Sequence, residues 1–296
     1  MHFFGTELQS YKVNLHTHSK SSDGVFQPDE LIQRYSQAGY DALAFTDHRF
    51  ANPVSSYDGK GMTLISGMEV HPQAMRGILW HMLALGLPED FKHDDSWSGQ
   101  QAAVAILEAG GIFFIAHPYW CGFTSSEVMS IQGSAGIEVF NAACRYPGKG
   151  YSMQTWDECL DHGRRYSAIA VDDVHGHDQL FKGHTMICAR DKGPESLLKA
   201  LAEGSFYASQ GPQFTHLSYE NQVFKAKFSP CAEAILISNR HNGFLGKLAE
   251  ADEQSGKLEL CEEISIDLSK LPAGFYVRCQ IRDSEGRYAW SNPVFL

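Results

Sequence analysis

Residues 11–18 read Tyr11-Lys12-Val13-Asn14-Leu15-His16-Thr17-His18, a short apolar strand that runs into two imidazoles. Residues i and i+2 of an extended chain point the same way, so both rings can reach one ion. The pattern recurs down the chain. Asp173-Val174-His175 follows the apolar run Ala168–Val171, Thr46-Asp47-His48 follows a second candidate strand, and Gly67-Met68-Glu69 follows a third. His117-Pro118 closes Ile112–Ala116, and His81 stands at the start of another apolar run. With Asp23 the set is His16, His18, Asp23, His48, Glu69, His81, His117, Asp173 and His175. Each is weak alone, because H-x-H occurs by chance. Two same-face pairs and four further donors in register with strand ends are hard to explain as surface or packing residues. Imidazoles and carboxylates gathered at one mouth would hold divalent metals, and a cluster with open positions makes hydroxide at neutral pH, so the pattern points to a hydrolase.

The surrounding chain alternates strand and helix signals. Candidate strands are Tyr11–Leu15, Ala42–Phe45, Met62–Ser66, Trp80–Leu85, Ile112–Ala116, Gly136–Phe140, Ser167–Val171 and His184–Ala189. Gln27-Pro28-Asp29-Glu30 opens a helix with Pro and acids in its first turn, Leu31, Ile32, Tyr35 and Ala38 form its buried stripe, and Gly39 ends it. Ser98–Ala109, Met153–His162 and Glu195–Glu203 read as further helices. This βα alternation predicts a parallel sheet closed into a barrel over residues 1–212, with functional residues at the C-terminal ends of its strands. After Ser209-Gln210-Gly211-Pro212 the helical signals stop. Phe214–Tyr219 and Val223–Phe228 flank Glu220-Asn221 as a hairpin, and Phe275–Ile281 and Tyr288–Trp290 flank Asp283-Ser284-Glu285-Gly286 as another. With Ala234–Ser238, Gly243–Glu250 and Leu258–Leu268 between them, residues 213–296 read as a small all-β, sandwich-like domain.

Composition narrows the function classes. The chain has 296 residues, enough for one large and one small domain, and a net charge of −11. That charge argues against broad binding to long duplex nucleic acid or to an anionic membrane, while bound metals would still make a local site positive enough for a small phosphorylated molecule. No apolar run reaches membrane-spanning length, and the start lacks a basic segment followed by a long apolar one. The seven cysteines are scattered without a C-x-x-C pair, which fits reduced thiols packed as small apolar residues in a cytoplasmic protein.

Leu15-His16-Thr17-His18, Ser22-Asp23-Gly24, Thr46-Asp47-His48, Gly67-Met68-Glu69, His117-Pro118 and Asp173-Val174-His175 stand in an order that resembles the PHP (polymerase and histidinol phosphatase) family of metal-dependent phosphoesterases, over roughly residues 8–212. The resemblance implies a distorted (β/α)7 barrel, leaving one of the eight strands outside it, and two or three divalent ions. It implies that His16, His18, Glu69 and Asp173 hold one ion. Glu69 then bridges to a second, shared with His81 and His117, and Asp23, His48 and His175 hold a third. Mixed nitrogen and oxygen donors suit Mn²⁺, Zn²⁺ or Fe²⁺. The reaction implied is attack of a metal-bridged hydroxide on the phosphorus of a nucleotide, short oligonucleotide or sugar phosphate. Tyr207-Ala208-Ser209-Gln210-Gly211-Pro212 and Ala289-Trp290-Ser291-Asn292-Pro293-Val294 resemble a branch with a C-terminal β-domain. That branch includes carbaryl-hydrolase-like proteins, so carboxylic or carbamic ester hydrolysis stands as an alternative, and a non-catalytic metal-binding regulator as another.

Around the predicted mouth the readings stay open. Asp47 either orients a ligand imidazole or caps a loop amide. Asn141 and Arg145 follow the strand Gly136–Phe140; Arg145 suits bidentate contact with phosphate or is a solvent-exposed loop residue. Tyr119 and Trp120 either wall the pocket or pack in the core. Asp172 is either an extra acid beside the cluster or, by its parity, points away from it. His71, His93, His177, Lys182 and His184 read as ordinary polar residues.

Overall fold

In a computed structural model, which describes residues 1–251 and 258–296, the chain is a mixed α/β protein built on one large sheet. Two short N-terminal strands, β1 (His2–Phe3) and β2 (Thr6–Glu7), precede β3 (Gln9–Asn14), α1 (Pro28–Gln37), β4 (Ala42–Phe45), β5 (Thr63–Val70) and β6 (Met82–Leu85). Then come α2 (Gly99–Glu108), β7 (Ile112–Ile115), α3 (Pro118–Cys121), α4 (Ser125–Ser130), β8 (Gly136–Asn141) and α5 (Met153–Asp161). The first region ends with β9 (Ser167–Val171), β10 (His184–Ala189), α6 (Pro194–Ala202) and β11 (Phe206–Ser209). Helix α1 begins on Pro28 and buries Leu31, Ile32 and Tyr35, the stripe its spacing predicts. Ser98 caps α2 through a reciprocal bond pair with Gln101, as its side-chain chemistry favours.

The sheet departs from the all-parallel expectation. Its order runs β11-β10-β3-β4-β5-β6-β7-β8-β9. The β3–β4, β4–β5, β7–β8 and β8–β9 joins are parallel. Strand β6 is antiparallel to both neighbours, and β10 is antiparallel to β3. The cause for β6 lies in the link from Val70 to Met82, which holds one 3-10 turn, Met75–Gly77, and no α-helix. A parallel return needs a longer crossover, so the chain folds straight back. Among the described residues no ladder joins β9 to the other end of this path. Past its end, β9 meets the continuation of β3 through a bridge between Thr17 and Val174, with Asp173 N–H donating to His16 O and His18 N–H to Val174 O at 3.0 and 3.1 Å.

The β-rich remainder continues the same sheet. Tyr288–Ser291 pairs with β11 and with Tyr276–Arg282, which pairs with Glu233–Ser238 and through it with Gly243–Leu248. A second, five-stranded sheet holds Cys261–Asp267, Val223–Cys231, Phe214–Glu220, β1 and β2. Phe224, Phe228 and Ile264 of that sheet share a core with Leu236, Val277 and Ile281 of the first. The N-terminus thus belongs to this layer: Phe3 is part of the same core, although the sequence reading placed residues 1–212 together. The Val223 hairpin turns on Asn221 and Gln222, both at positive φ, as a tight two-residue loop requires.

Where this layer meets the helical one, the guanidinium of Arg278 is fully buried. It donates twice to Asp157 of α5 at 2.7 Å and lies over the Trp156 ring. Removing one partner of such a pair strands the other charge away from water. Asp157→Ala is therefore expected to cost about 2–4 kcal/mol, less than a wholly buried pair because Asp157 keeps some solvent contact. Urea unfolding of the two chains checks this; a loss under about 1 kcal/mol would contradict the buried-charge account.

Candidate metal centre

The nine donors come together at one end of the large sheet, and the strand directions explain how. His16 and His18 leave the end of β3, where the Thr17–Val174 bridge holds them beside Asp173. Strand β5 runs four residues further than its sequence suggests, to Val70, so Glu69 lies within it, and His48 is bridged to it in parallel. His81 precedes β6. Because that strand is antiparallel, its start lies where β5 ends, with Met82 opposite Val70. An imidazole at the beginning of a strand therefore reaches the same mouth as donors at the ends of the others. His117 and Asp173 carry φ of 26° and 52°, conformations that L side chains adopt at a cost and that cluster at functional sites. Gly24 serves close approach: a Cβ there would run into the His18 carbonyl, so the loop presenting Asp23 can lie against the His16–His18 segment only with glycine.

The innermost four donors form a small cage. His16 Nε2 and His18 Nε2 are 3.0 Å apart. Glu69 Oε2 is 3.5 Å from the first and 3.4 Å from the second, and Asp173 Oδ1 is 3.3 and 3.1 Å from them. Each carboxylate oxygen thus lies within 3.5 Å of both imidazole nitrogens, and His16, His18 and Glu69 are close enough to share one ion. Asp173 Oδ1 is buried without a hydrogen-bond donor. The residues present fit an ion here, because lone-pair atoms face one another and the orphaned oxygen points among them.

Glu69 divides its two oxygens. Oε2 faces the cage and also His48 Nδ1 at 2.9 Å, while Oε1 lies 2.7 Å from His81 Nδ1 and 3.2 Å from His117 Nε2. A third group forms at the rim, where Asp23 Oδ2 is 3.3 Å from His48 Nε2 and 3.4 Å from His175 Nε2, with His18 Nδ1 3.7 Å from Asp23 Oδ1. Among the described residues four sets of donors lie close enough to hold an ion: His16, His18 and Glu69; His18, Asp23, His48 and His175; His81, His117 and Cys121; and His48, Glu69 and His71. The cleft above them holds about 300 Å³ and is lined by Asp23, His48, Glu69, Trp120, Cys144 and His175, among others.

Charge is concentrated and mutually compensated. Burial works against the Glu69 carboxylate, but His81 and His16 overcome it and hold the group well below the usual range. Burial opposes Asp173 in the same way and is overridden by His16 and His18. Burial likewise opposes protonation of His16, yet Asp173, Glu138 and Glu69 raise it well above a free imidazole, and His48 is raised to about 9 by Asp23 and Glu69 against its burial. The site draws positive charge, as protons or as metal ions, and metal binding here would release protons.

Around the donors, the residues left open by the sequence take definite places. Asp47 reaches no imidazole. Its carboxylate accepts from the Ser19 amide and hydroxyl and from Ser22, so it anchors the loop that presents Asp23, the capping alternative. Asn141 donates to Glu138 Oε2 and Asp173 Oδ2, at 2.8 and 3.0 Å, and so orients acids from beneath the cluster. Arg145 is exposed and donates to the carbonyls of Ala142 in its own loop and Asp178 in the loop after β9, so its guanidinium is held by backbone oxygens. Asp172 points away, accepting from Tyr35 and from the amides of Phe181, Lys182 and Gly183. Trp120 is exposed, its ring edge-on to His81 and His117, which makes it a wall of the cleft and no part of the core.

Three participants are not among the donors read from the sequence. Glu138 is buried, 2.6 Å from His16 Nδ1, and accepts the His117 amide at 2.8 Å. His71 Nε2 lies 2.7 Å from His48 Nδ1, and burial lowers its pKa to about 3, so it faces the cluster as a neutral ring. Cys121 Sγ is 3.5 Å from His117 Nδ1, so one thiol read as filler touches the cluster instead. It fits the acceptor that keeps the proton on Nδ1 and leaves the Nε2 lone pair facing Glu69.

Residues 14–93 match the model of the PHP domain. Over 75 residues the chain is 41% identical to the error-prone DNA polymerase of Rhodopirellula baltica, a stretch that takes in 23% of this chain and 7% of that polymerase's length. All of this chain aligns with 98% of a two-domain protein from Bacteroides vulgatus that contains a predicted PHP-like metal-dependent phosphoesterase, with a TM-score of 0.53 and 16% identity; the likeness is one of fold. An amidohydrolase from Chromobacterium violaceum aligns over 56% of this chain and 89% of its own, with a TM-score of 0.45 and 19% identity. The matched segment carries His16, His18, Asp23, His48, Glu69 and His81, and the chain is similar to the PHP domain over that segment.

Proposed function

We propose that this chain is a metal-dependent phosphoesterase acting on a small phosphorylated molecule, a nucleotide, short oligonucleotide or sugar phosphate. The observation that carries the reading is Glu69, whose two oxygens face two separate sets of imidazoles. On this reading strands β3 to β9 form a distorted seven-stranded barrel, drawn together at its metal end by the Thr17–Val174 bridge. His16, His18, Glu69 and Asp173 would hold one ion, Glu69 with His81 and His117 a second, and Asp23, His48 and His175 a third. The nitrogen and oxygen donors suit Mn²⁺, Zn²⁺ or Fe²⁺. When bound, such ions supply Lewis acidity toward a phosphoryl oxygen and a nucleophile at neutral pH.

The chain's own residues do the positioning. Glu138 holds the His16 ring by Nδ1, so that Nε2 presents its lone pair to the cage, and Asn141 steadies both Glu138 and Asp173. Trp120 shields His81 and His117 from one side, limiting water above Glu69. In an enzyme with two ions, His48 and His175, each pointing Nε2 at Asp23, are placed to hold a proton for the leaving oxygen. Cleft volume and the net charge of −11 both favour a small substrate over a long duplex. Among the described residues no helix is long and apolar enough to cross a membrane.

Two outcomes test the reading. Glu138→Ala leaves the His16 Nδ1–H and the His117 amide without an acceptor, and metal affinity is expected to fall about 10–100-fold with the fold intact, measured by competition with a chromogenic chelator. His16→Ala, Glu69→Ala and Asp173→Ala are each expected to cut Mn²⁺- or Zn²⁺-dependent turnover by at least about a thousandfold, some 4 kcal/mol in barrier. The assay pairs nucleotides and sugar phosphates with an aryl carboxylester and a carbamate. Chelator-sensitive phosphate release supports the proposal; cleavage of the carbon esters alone would contradict it.

A further inference from the structure

A second cleft, of about 410 Å³, is built in part from the same chain segments as the metal cleft. The turn that places Trp120 in the metal cleft places Tyr119 in the second, and the loop that gives Cys144 to the first gives Tyr151 to the second. Lys149 meets one lining residue of each. Its amide donates to the Cys144 carbonyl at 2.9 Å, and its ammonium lies 5.5 Å from the Tyr119 ring centroid. Among the described residues Lys149 forms no ion pair, unlike Arg49 and Arg76, which are bound to Asp95 and Glu127.

The second cleft has its own chemistry. Tyr119 and Tyr151 expose large aromatic faces. Gln154, Thr155 and Glu158 line it from one face of α5, and Ser125 adds a hydroxyl. No cation is among its lining residues, and Glu158 is held ionised by Ser125 and Gln154. Tyr151 is fixed from the β-rich side: its hydroxyl meets Gln210, whose Oε1 accepts the Tyr288 amide, and its ring lies against those of Tyr288 and Trp290. A wall held in advance loses little freedom on binding.

We infer that this second cleft is a subsite for the alcohol part of the substrate, and that it takes an uncharged polyhydroxylated ring. Aromatic faces suit the apolar faces of a sugar ring. Hydroxyl, amide and carboxylate groups accept and donate to ring hydroxyls, whereas the Glu158 carboxylate, with no cation beside it, repels a second phosphate. The Lys149 ammonium, near the Tyr119 ring at the edge of this cleft, is placed to meet the phosphoryl group the ring carries. The inference rests on the phosphoesterase reading for the identity of the whole substrate, but the ring's binding needs neither metal nor turnover.

The test is therefore direct binding of uncharged rings to the full chain by saturation-transfer NMR and titration, with methyl α-glucopyranoside to report a pyranose and methyl β-ribofuranoside a furanose. At least one is expected to bind, and Tyr119→Ala and Glu158→Gln are each expected to weaken it by about tenfold. Both side chains are partly exposed, so these variants should fold; Tyr151→Phe, which loses only the Gln210 bond, adds a milder third. Binding of neither glycoside, or unchanged binding in both Tyr119→Ala and Glu158→Gln, would overturn the subsite. Glycoside binding in a chain that releases no phosphate from any ester would keep the subsite and remove the phosphoesterase reading.

Discussion

The rest of the centre depends on the burial of the Glu69 carboxylate among imidazoles. An ionised carboxylate away from water is costly unless positive charge or hydrogen-bond donors surround it on both oxygens. Here Oε1 meets His81 and His117 while Oε2 meets His16, His18 and His48. Glu138 and Asp173 add two further buried acids. Three carboxylates among rings that can each take a proton make a site that draws positive charge, as protons or as metal ions.

Holding these groups together is the task of the sheet. Parallel strands β3, β4, β8 and β9 bring donors or their supports to one end, and the reversed β6 lets His81 arrive from the opposite chain direction. The backbone accepts strain at His117 and Asp173, both at positive φ, to aim their side chains inward. Beneath the donors a layer of polar contacts, from Asn141 through Glu138 to His16 and from Asp47 through Ser19 and Ser22 toward Asp23, sets ring and carboxylate orientation. The β-rich layer joins the same sheet through Tyr288–Ser291 and reaches back to Tyr151 and α5, so it shapes the rim while standing apart from the donors.

Much of this was legible in the chain. Donors at i and i+2 after apolar runs, at His16/His18 and Asp173/His175, announce themselves by parity alone. Glu69 and His71 repeat that spacing, so His71 carried a signal that was passed over. Glu138 also left one, as a lone acid inside the apolar run Gly136–Phe140. The reversal of β6 could be read from the short link between Val70 and Met82, which has no room for a helical crossover. Other features depend on three-dimensional packing that no local pattern encodes: the positive φ at His117 and Asp173, and the bond from Arg145 to the Asp178 carbonyl in the loop after β9. The seating of Phe3 in the β-rich core is likewise a long-range pairing, invisible from a segment of so few residues.

The central claim is that Glu69 joins two ion sites. Anomalous diffraction from crystals grown with Mn²⁺ or Zn²⁺ tests it most directly. The account predicts one peak within bonding distance of His16, His18, Glu69 Oε2 and Asp173, and a second on Glu69 Oε1 with His81 and His117. Peaks confined to the Asp23, His48 and His175 rim, with none at Glu69, would contradict it.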